Sequence, residues 1–361
     1  MTLITQLDYD VVLATRNRQN VLSISIPLML RQTRLPRRFI VVDSSDNHSE
    51  VRDILECEFS KVRSAIELFI LQADPGSSRQ RNIGLRHVAS PIVIFPDDDS
   101  LWFPDSAESL LRVYERDREQ ILGCVALTAT PTYPQGAFDY SERPHELEWR
   151  DRIARRIRRF VGTFEDTLFP DPINSDRIWS GLCAHRKGPN WLPQEEAILC
   201  GTVFGYRMSY RTKVIQRIGG FDENLGRYAM FEDSDASIGS LHTCFNARSA
   251  RALVHHYRVP GKRVGGWEFG LMAILNRAYV VCKHTSGASP VRRTLKRYIG
   301  YKLVRYLLQC YSDYGRKRLT GAVYAATRVD ELLSAPPDQL AARYMKIRDE
   351  RHVVEHSHSL A

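Results

Sequence analysis

The sequence predicts an α/β protein in which a mostly parallel sheet is flanked by helices and followed by a C-terminal helical extension. Two observations carry this prediction. In the first part of the chain, short apolar runs rich in Val and Ile alternate with helical stretches, a spacing typical of right-handed βαβ units. From residue 262 onwards the apolar residues recur with helical periodicity.

The predicted elements follow one another at short intervals. Strands are expected at residues 9–14, 39–42, 65–71 and 92–95, and helices at 19–32, 49–60 and 77–88. The last strand, Ile92–Phe95, is apolar throughout and bounded by prolines, as expected of a strand that is buried on both faces. Ser77 is a suitable N-cap for the helix 77–88, which precedes this strand. Each pair of strands is therefore connected by a helical crossover.

Polar side chains stand where three of these strands end. Thr15 and Arg16 follow the first strand, Asp43 follows the second, and Asp97–Asp99 follow the fourth. Because ligands of open α/β sheets bind at the carboxyl ends of the strands, these side chains are candidates for a shared binding site. The turn after the first strand is not glycine-rich, so phosphate binding by a loop of backbone amides is not expected.

The run of three aspartates has two interpretations of equal weight when it is taken alone. Massed carboxylates repel one another, and a divalent cation held together with a nucleotide diphosphate would offset this cost. Mg²⁺ and Mn²⁺ are both suited to such a site. The alternative is a solvated acidic turn before a helix that begins at Pro104.

Composition and charge limit the compartment and the partners. The net charge of +9 favours anionic partners: a nucleotide, a phospholipid surface or a nucleic acid. The chain has seven cysteines, an odd number, and no two of them form a C-x-x-C pair. Neither a disulfide framework nor a zinc site is therefore indicated. No signal peptide or membrane-spanning run is recognised. We therefore expect a reducing, cytoplasmic location.

Two further motifs stand in the second half of the chain. The first is Gly219-Gly220-Phe221-Asp222-Glu223, a turn that either is ordinary or lets the backbone approach a ligand. The second is Phe231-Glu232-Asp233 at the start of a predicted helix whose buried face comprises Ile238, Leu241 and Phe245. The interaction of these acids with the helix dipole could alone explain them. The alternative is a carboxylate that takes a proton from a hydroxyl group.

Taken in order, these motifs resemble those of the bacterial-type family 2 glycosyltransferases, which have the Rossmann-like GT-A fold. The resemblance runs through T-R-N-R, V-V-D-S-S-D, G-S-S-R-Q-R-N-I-G-L, I-V-I-F-P-D-D-D-S, G-G-F-D-E and F-E-D-S-D, over roughly residues 8–260. Pro96 and Ser100 depart from the family pattern, which has an apolar residue and a further acid there.

The resemblance implies an inverting transfer of a sugar from a nucleotide-diphosphate donor to an acceptor hydroxyl. Asp233 would act as the general base. Asp99, with Asp97 nearby, would hold Mn²⁺ or Mg²⁺, and His256 is preferred to His255 as the residue that completes the metal site.

Residues at the strand ends and on the third helix are implied in donor binding. Thr15 and Asp43 resemble the residues that hold the base, and Arg79 and Asn82 are candidates for the sugar or the diphosphate. The ribose is expected on Asp97 or Asp98. The complete donor-binding set is Thr15, Arg16, Asp43, Arg79, Asn82, Asp97 and Asp98.

The predicted domains divide the chain at residue 261. Residues 1–261 form the GT-A domain, with a nucleotide-binding half at 1–130 and an acceptor half at 131–261 that carries an insertion at 131–195. Residues 262–361 form a basic helical region.

The second helix of the C-terminal region is predicted to be amphipathic and basic. One face is formed by Leu295, Ile299, Leu303, Leu307 and Cys310. From residue 283 to 318 the chain has ten Lys or Arg residues and one acid. A helix of this kind either lies on an anionic membrane surface or packs in a helical subdomain with a solvated basic face, and the sequence favours neither.

The sequence favours a glycosyltransferase of cell-surface polysaccharide biosynthesis over two alternatives. A nucleotidyltransferase should have a glycine-rich basic loop after the first strand, and A-T-R-N-R-Q-N is not one. A non-enzymatic basic protein that binds membrane or nucleic acid would leave the aspartates at the strand ends unexplained.

The expected partners follow from this reading. The donor is a UDP-, dTDP- or GDP-sugar, with UDP and dTDP favoured because Asp43 could pair with a pyrimidine imide. The acceptor is a saccharide or a lipid-linked saccharide. No nucleic acid is expected, a homo-oligomer is compatible with the sequence, and the protein would lie in the cytoplasm or peripherally on the inner face of the membrane.

Overall fold

The computed structural model of this chain describes residues 6–62, 65–137, 167–183, 185–258 and 264–350. The chain divides into two compact units, Met1–Pro144 with Trp179–Gly261, and His145–Ile178 with Lys262–Ala361. The sequence predicts that the insertion 131–195 lies in the first domain, whereas the described residues 167–178 are grouped with the second unit. Asp171 shows why: its carboxylate pairs with Arg277 (2.9 Å) and accepts a hydrogen bond from Tyr298 (3.0 Å).

In the described residues of the first unit, nine strands form one sheet in the order β3-β2-β1-β4-β8-β6-β9-β5, with β7 also paired to β9. The strands are β1 Tyr9–Thr15, β2 Arg38–Asp43, β3 Glu67–Gln72, β4 Ile92–Phe95, β5 Ser100–Trp102, β6 Leu122–Ala129, β7 Ala197–Cys200, β8 Met208–Arg211 and β9 Phe245–His256.

The α/β fold class predicted from the sequence is confirmed, and the first four strands are parallel as expected. The later strands form a mixed sheet: β6 pairs with β9 in parallel, whereas β8 is antiparallel to β4 and β6, and β9 is antiparallel to β5 and β7. The first four strands are joined by short helical crossovers, whereas β6 and β9, which also pair in parallel, are linked by a longer connection that contains β7 and β8.

Helices cover the sheet in the first unit, and their bounds lie within a few residues of the predicted ones. They are α1 Gln19–Leu30, α2 His48–Phe59, α3 Ser77–Leu85, α4 Ser106–Arg116, α6 Thr212–Arg217 and α7 Glu232–Leu241, while the short α5 Asp176–Trp179 lies at the boundary of the units. On α3, a Cβ atom at Gly84 would overlap the side chain of Val12. A glycine is therefore required where this helix crosses β1.

The predicted buried face of α7 is only partly correct. Ile238 and Leu241 are buried on the helix, but Phe245 is the first residue of β9 and pairs with Leu122. The helix ends at Leu241 because residues 242–244 turn the chain back into the sheet.

The second unit is helical in the residues that the structure describes after position 264. Its helices are α8 Gly266–His284, α9 Pro290–Leu307, α10 Asp313–Leu333 and α11 Leu340–Asp349. Helices α8 and α10 pack closely, since a Cβ at Gly270 would overlap the carbonyl of Arg318 and one at Gly321 would overlap that of Trp267. None of the helices described in either unit is both long enough and apolar enough to span a membrane.

The predicted apolar face of α9 is correct in its first half and wrong in its second. Leu295 and Ile299 are buried, but Leu303 is only half-buried, Leu307 is exposed and Cys310 lies beyond the helix end. Residues spaced by four drift around a helix of 3.6 residues per turn, so Leu307 is rotated by about 120° from Leu295. The buried side is completed instead by two tyrosines, Tyr298 and Tyr306.

Candidate active site

Two acids after β4 and a histidine at the end of β9 lie together at one edge of the sheet. Ser100 of β5 pairs with His256 of β9, which places the imidazole beside the acidic run. The Nε2 atom of His256 lies 3.2 Å from Oδ1 of Asp99. Asp97, Asp99 and His256 each offer a ligand atom, and these atoms lie within 4.8 Å of one another. The structure thus brings the three predicted metal ligands together.

The position of the His256 ring is set by an aromatic neighbour. The ring stacks on Tyr206 with a centroid distance of 4.3 Å and an interplanar angle of 16°. The backbone carbonyl of Tyr206 accepts a hydrogen bond from Ser100, which itself belongs to β5. The Nδ1 atom of His256 is buried, and no hydrogen-bond partner for it is found among the described residues. The imidazole is therefore held in place by packing.

A buried arginine that the sequence analysis missed connects the acidic run to the second acidic motif. Arg81 on α3 donates to Oδ1 of Asp97 (2.7 Å) and to Oε1 of Glu232. Its guanidinium also lies 5.5 Å from the ring centroid of Phe221. Arg81 precedes the apolar Leu85 by four residues, so helical spacing puts both on the side that faces the sheet. That spacing was the available signal.

Asp233 lies in the same site as the metal-ligand candidates. Its Oδ2 accepts a hydrogen bond from the backbone N–H of Gly205 (2.7 Å), and its Oδ1 accepts one from the N–H of Ser234 (2.6 Å). A Cβ atom on Gly205 would lie 3.3 Å from Nη2 of Arg81, 3.6 Å from Oδ1 of Asp97 and 3.7 Å from Oδ2 of Asp233. Gly205 thus keeps open the space among three charged groups.

The backbone just before Asp233 is unusual. Phe231 has a φ of +78°, a left-handed conformation that is rare for a bulky side chain. Such a residue costs on the order of 1–3 kcal/mol and is typically found where function requires it. In this chain it sets the direction in which α7 begins and hence the position of Glu232 and Asp233.

The carboxylates of this site carry more negative charge than their surroundings can offset. Burial raises the pKa of Asp98 to about 7, with Asp99 and Asp97 adding to the shift. Burial also raises the pKa of Glu232 to about 8 against the opposing effect of Arg81, and it raises the pKa of Asp97 and of Asp233. Arg81 is shared by Asp97 and Glu232 and also interacts with the charge of Asp233, while Arg18 offsets part of the charge near Asp98. A cation would stabilise this arrangement.

The sequence matches the model of the family "Glycosyl transferase family 2" over residues 10–215, more than half of the chain. The chain belongs to this family. The match contains the strands β1 to β4, the acidic run and Gly205, but it ends before Asp233 and His256. The family predicted from the motifs is therefore confirmed, and the roles of individual residues stay predictions.

One solved structure shows the same fold at low sequence identity, and a second is similar in part. S. aureus TarS in complex with UDP-GlcNAc is 13% identical, with a TM-score of 0.52 over 96% of this chain and 92% of that chain. The mannosyltransferase PcManGT from Pyrobaculum calidifontis, in complex with GDP-Man and Mn²⁺, is 14% identical, with a TM-score of 0.49 over 96% of this chain and 87% of that chain. No curated protein sequence matches the chain significantly.

In this family 2 glycosyltransferase, the two residues predicted to bind the nucleobase, Asp43 and Thr15, already have hydrogen-bond partners in the protein. Asp43 is fully buried: its Oδ1 accepts from the backbone N–H (2.9 Å) and hydroxyl (2.6 Å) of Ser45, and its Oδ2 lies 2.6 Å from Nδ1 of His48. Thr15 donates from Oγ1 to Oδ2 of Asp98 (3.0 Å), which ties the end of β1 to the acidic run. Arg16 is exposed in the turn after β1.

The two candidates on α3 face away from the acidic run, towards the Gly219–Glu223 motif. Asn82 donates to the carbonyl of Phe221 (2.8 Å) and to Glu223 (2.9 Å), and it accepts from the N–H of Phe221 (2.8 Å). Arg79 pairs with Asp74 (3.0 Å) and lines an open cleft with it and Glu223. Asn82 thus holds the motif in shape, and Arg79 offers a cation to this cleft.

Proposed function

We propose that this chain is a metal-dependent, inverting glycosyltransferase that moves a sugar from a nucleotide-diphosphate donor to an acceptor hydroxyl. The observation that carries the proposal is the position of Asp233 across Gly205 from the acidic run, beside the cluster of Asp97, Asp99 and His256. The transfer needs a cation at the leaving diphosphate and a base at the attacking hydroxyl, and these groups supply both within one site.

The side chains of the cluster fit Mn²⁺ or Mg²⁺. Two carboxylates are the hard oxygen ligands that both cations prefer, and such cations take their remaining ligands from substrate phosphates and water. Asp99, which directly precedes β5, and His256, at the end of the neighbouring strand β9, would both bind the cation, while Arg81 holds Asp97 in place. When bound, the cation would offset the charge that develops on the leaving diphosphate. The surplus of buried carboxylates supports this assignment.

Asp233 is the proposed general base. The hydrogen bonds from Gly205 and Ser234 fix the orientation of its carboxylate and leave acceptor capacity for the proton of the acceptor hydroxyl. Burial raises the pKa of Asp233 above its ordinary value, which makes it a stronger base at neutral pH. Once the base takes its proton, the acceptor alcohol attacks the donor directly. This single displacement inverts the configuration of the anomeric carbon.

The donor is proposed to be a nucleotide sugar, with UDP, dTDP and GDP as the candidate nucleotides. TarS, which has the same fold, binds UDP-GlcNAc. Asp43 remains the candidate for binding the nucleobase of the donor. It is the last residue of β2 and lies at the same edge of the sheet as Thr15 and the acidic run. Its contacts with Ser45 and His48 fix its orientation before any base binds.

The acceptor is proposed to be a saccharide or a lipid-linked saccharide of a cell-surface polysaccharide. Phe204 is exposed and directly precedes Gly205, which contacts the proposed base. Sugar rings have apolar C–H faces, and an exposed aromatic ring beside the base offers a surface on which such a face can pack. Arg207 lies 4.9 Å from this ring and orders it.

The test separates the two halves of the proposal. We expect UDP, dTDP, GDP or CDP to raise the melting temperature in the presence of Mn²⁺ and not in EDTA. Asp99→Asn should lose this shift, whereas Asp233→Asn should keep it and lose sugar transfer by about 10²–10⁴-fold.

The control for both variants is Asp53→Asn, which removes an exposed carboxylate on the outer side of α2. It should leave both the nucleotide shift and the transfer unchanged. A folded Asp233→Asn protein that still transfers sugar at the wild-type rate, or that no longer binds nucleotide, would contradict the assignment of the base.

A further inference from the structure

Helix α9 has an apolar stripe on each of two opposite sides near its C-terminal end. The inner stripe is buried in the second unit and comprises Leu295, Tyr298, Ile299 and Tyr306. The second stripe, here called the outer stripe, is formed by Val304, Leu307, Leu308 and Tyr311. These side chains are exposed by 58%, 58%, 77% and 86%. A helix of one compact unit needs only one apolar side, so packing among the described residues does not explain the outer stripe.

The four side chains of the outer stripe lie on the same side of the chain. Val304 and Tyr311 each lie three or four residues from both Leu307 and Leu308, the spacing of neighbours on a helix surface. The helical course continues past the end of α9, because the N–H of Leu308 donates to the carbonyl of Val304 and that of Cys310 to the carbonyl of Leu307. The outer stripe is therefore a continuous surface at the tip between α9 and α10.

Basic side chains surround this surface. Arg293 and Arg297 are exposed on the same side of α9, eleven and seven residues before Val304, at spacings that return to one helix side. Arg316 and Lys317 are exposed in the first turn of α10. The single acid of the region, Asp313, pairs with Lys317 at 3.0 Å on the exposed surface, and such a pair offsets little of the charge.

We propose that the outer stripe is a docking surface for an anionic lipid bilayer. Exposed apolar side chains at a helix tip, ringed by Lys and Arg, match the boundary between acyl chains and negatively charged headgroups. The tip would enter the interface while Arg293, Arg297, Arg316 and Lys317 stay at the headgroups.

A second copy of this chain is a poorer occupant of the same surface. In a symmetric dimer formed through the outer stripe, the basic residues around the stripe would lie close to the same residues of the second copy. These like charges would repel one another. The net charge of +9 acts in the same direction. An anionic bilayer, in contrast, complements both the charge and the apolar stripe.

The test uses the full chain and two kinds of vesicle. The neutral vesicles contain phosphatidylcholine alone, and the anionic vesicles contain equal parts of phosphatidylcholine and phosphatidylglycerol. We expect cosedimentation with the anionic vesicles and little with the neutral ones. The variant Leu308→Ser/Tyr311→Ser should reduce partitioning by about tenfold or more, from the apolar area lost. Arg316→Gln/Lys317→Gln should reduce it by about fivefold for each charge.

The matched control is Val323→Ser, which removes an exposed apolar side chain from α10 at a distance from the tip. It should bind anionic vesicles like the wild type. Unchanged partitioning of the Leu308→Ser/Tyr311→Ser variant would overturn the proposal. So would a wild-type dimer that this variant dissociates while neither protein binds vesicles, an outcome that would assign the surface to a second copy.

Discussion

Two buried arginines, one in each unit, show how differently this protein uses its charges. Among the described residues of the helical unit, Arg277 pairs with the carboxylate of Asp171, which also accepts from the N–H of Ile173 and the hydroxyl of Tyr298. Although burial opposes it, Arg277 lowers the pKa of Asp171. In the first unit, Arg81 is shared between Asp97 and Glu232, and burial raises the pKa of both acids.

The difference separates a structural ion pair from a candidate site. Where one cation meets one well-bonded anion, the folded state gains from the charged form of both. Where buried acids outnumber the cations, the folded state is destabilised unless some of the acids are protonated or a further cation binds. The surplus is thus informative about function, and burial of charge alone is not.

The largest effect is expected in the helical unit. Asp171→Asn leaves the buried guanidinium of Arg277 without its countercharge, and breaking such a pair costs about 3–5 kcal/mol in the free energy of unfolding. Urea denaturation would measure this loss. A change below about 1 kcal/mol would show that Asp171 is dispensable and that the contrast between the two arginines is not real.

The same substitution in the acidic run should have the opposite sign. Asp98→Asn removes a charge that Asp97 and Asp99 repel, while the Asn side chain can still accept the hydrogen bond from Thr15. In EDTA we expect the free energy of unfolding to rise by about 0.5–2 kcal/mol, as is common when a functional site is relieved of strain. A loss of stability comparable to that of Asp171→Asn would make the acidic run a structural feature.

A further effect is a dependence of stability on pH through Glu232. Its pKa is raised from 4.5 to about 8 in the folded protein, so folding takes up a proton between these values and wild-type stability falls as pH rises through this window. The Gln side chain of Glu232→Gln cannot ionise, so the free energy of unfolding of this variant should rise relative to the wild type from pH 4.5 to about 8. Above this pH the difference between the two proteins should stay constant.

Urea denaturation in EDTA at several pH values would measure this difference. A gap between Glu232→Gln and the wild type that does not change with pH would mean that Arg81 keeps Glu232 ionised throughout. Arg81 would then be as well matched to its acids as Arg277 is to Asp171.

Much of the first half of this protein could be predicted from local patterns. The strands β1, β2 and β4 are short, apolar and bounded by turn residues, so their positions follow from the sequence alone, as does the acidic run at the end of β4. The family was recognisable because its motifs recur in a fixed order, and a buried parallel strand with polar residues at its end leaves a clear local signature.

Contacts between distant segments were decided only by the tertiary structure. Arg81 and Arg79 are both arginines on α3 and differ only in the side of the helix on which they lie. The pairing of Arg81 with Glu232 and Asp97 depends on the tertiary structure, which brings α7 and the end of β4 to that side. The exposure of Leu307 depends in the same way on which side of α9 the unit buries. Local free energies set where helices and strands begin and end, but the partners of a charge or an apolar face are chosen by packing between segments far apart in the chain, which no short window of sequence contains.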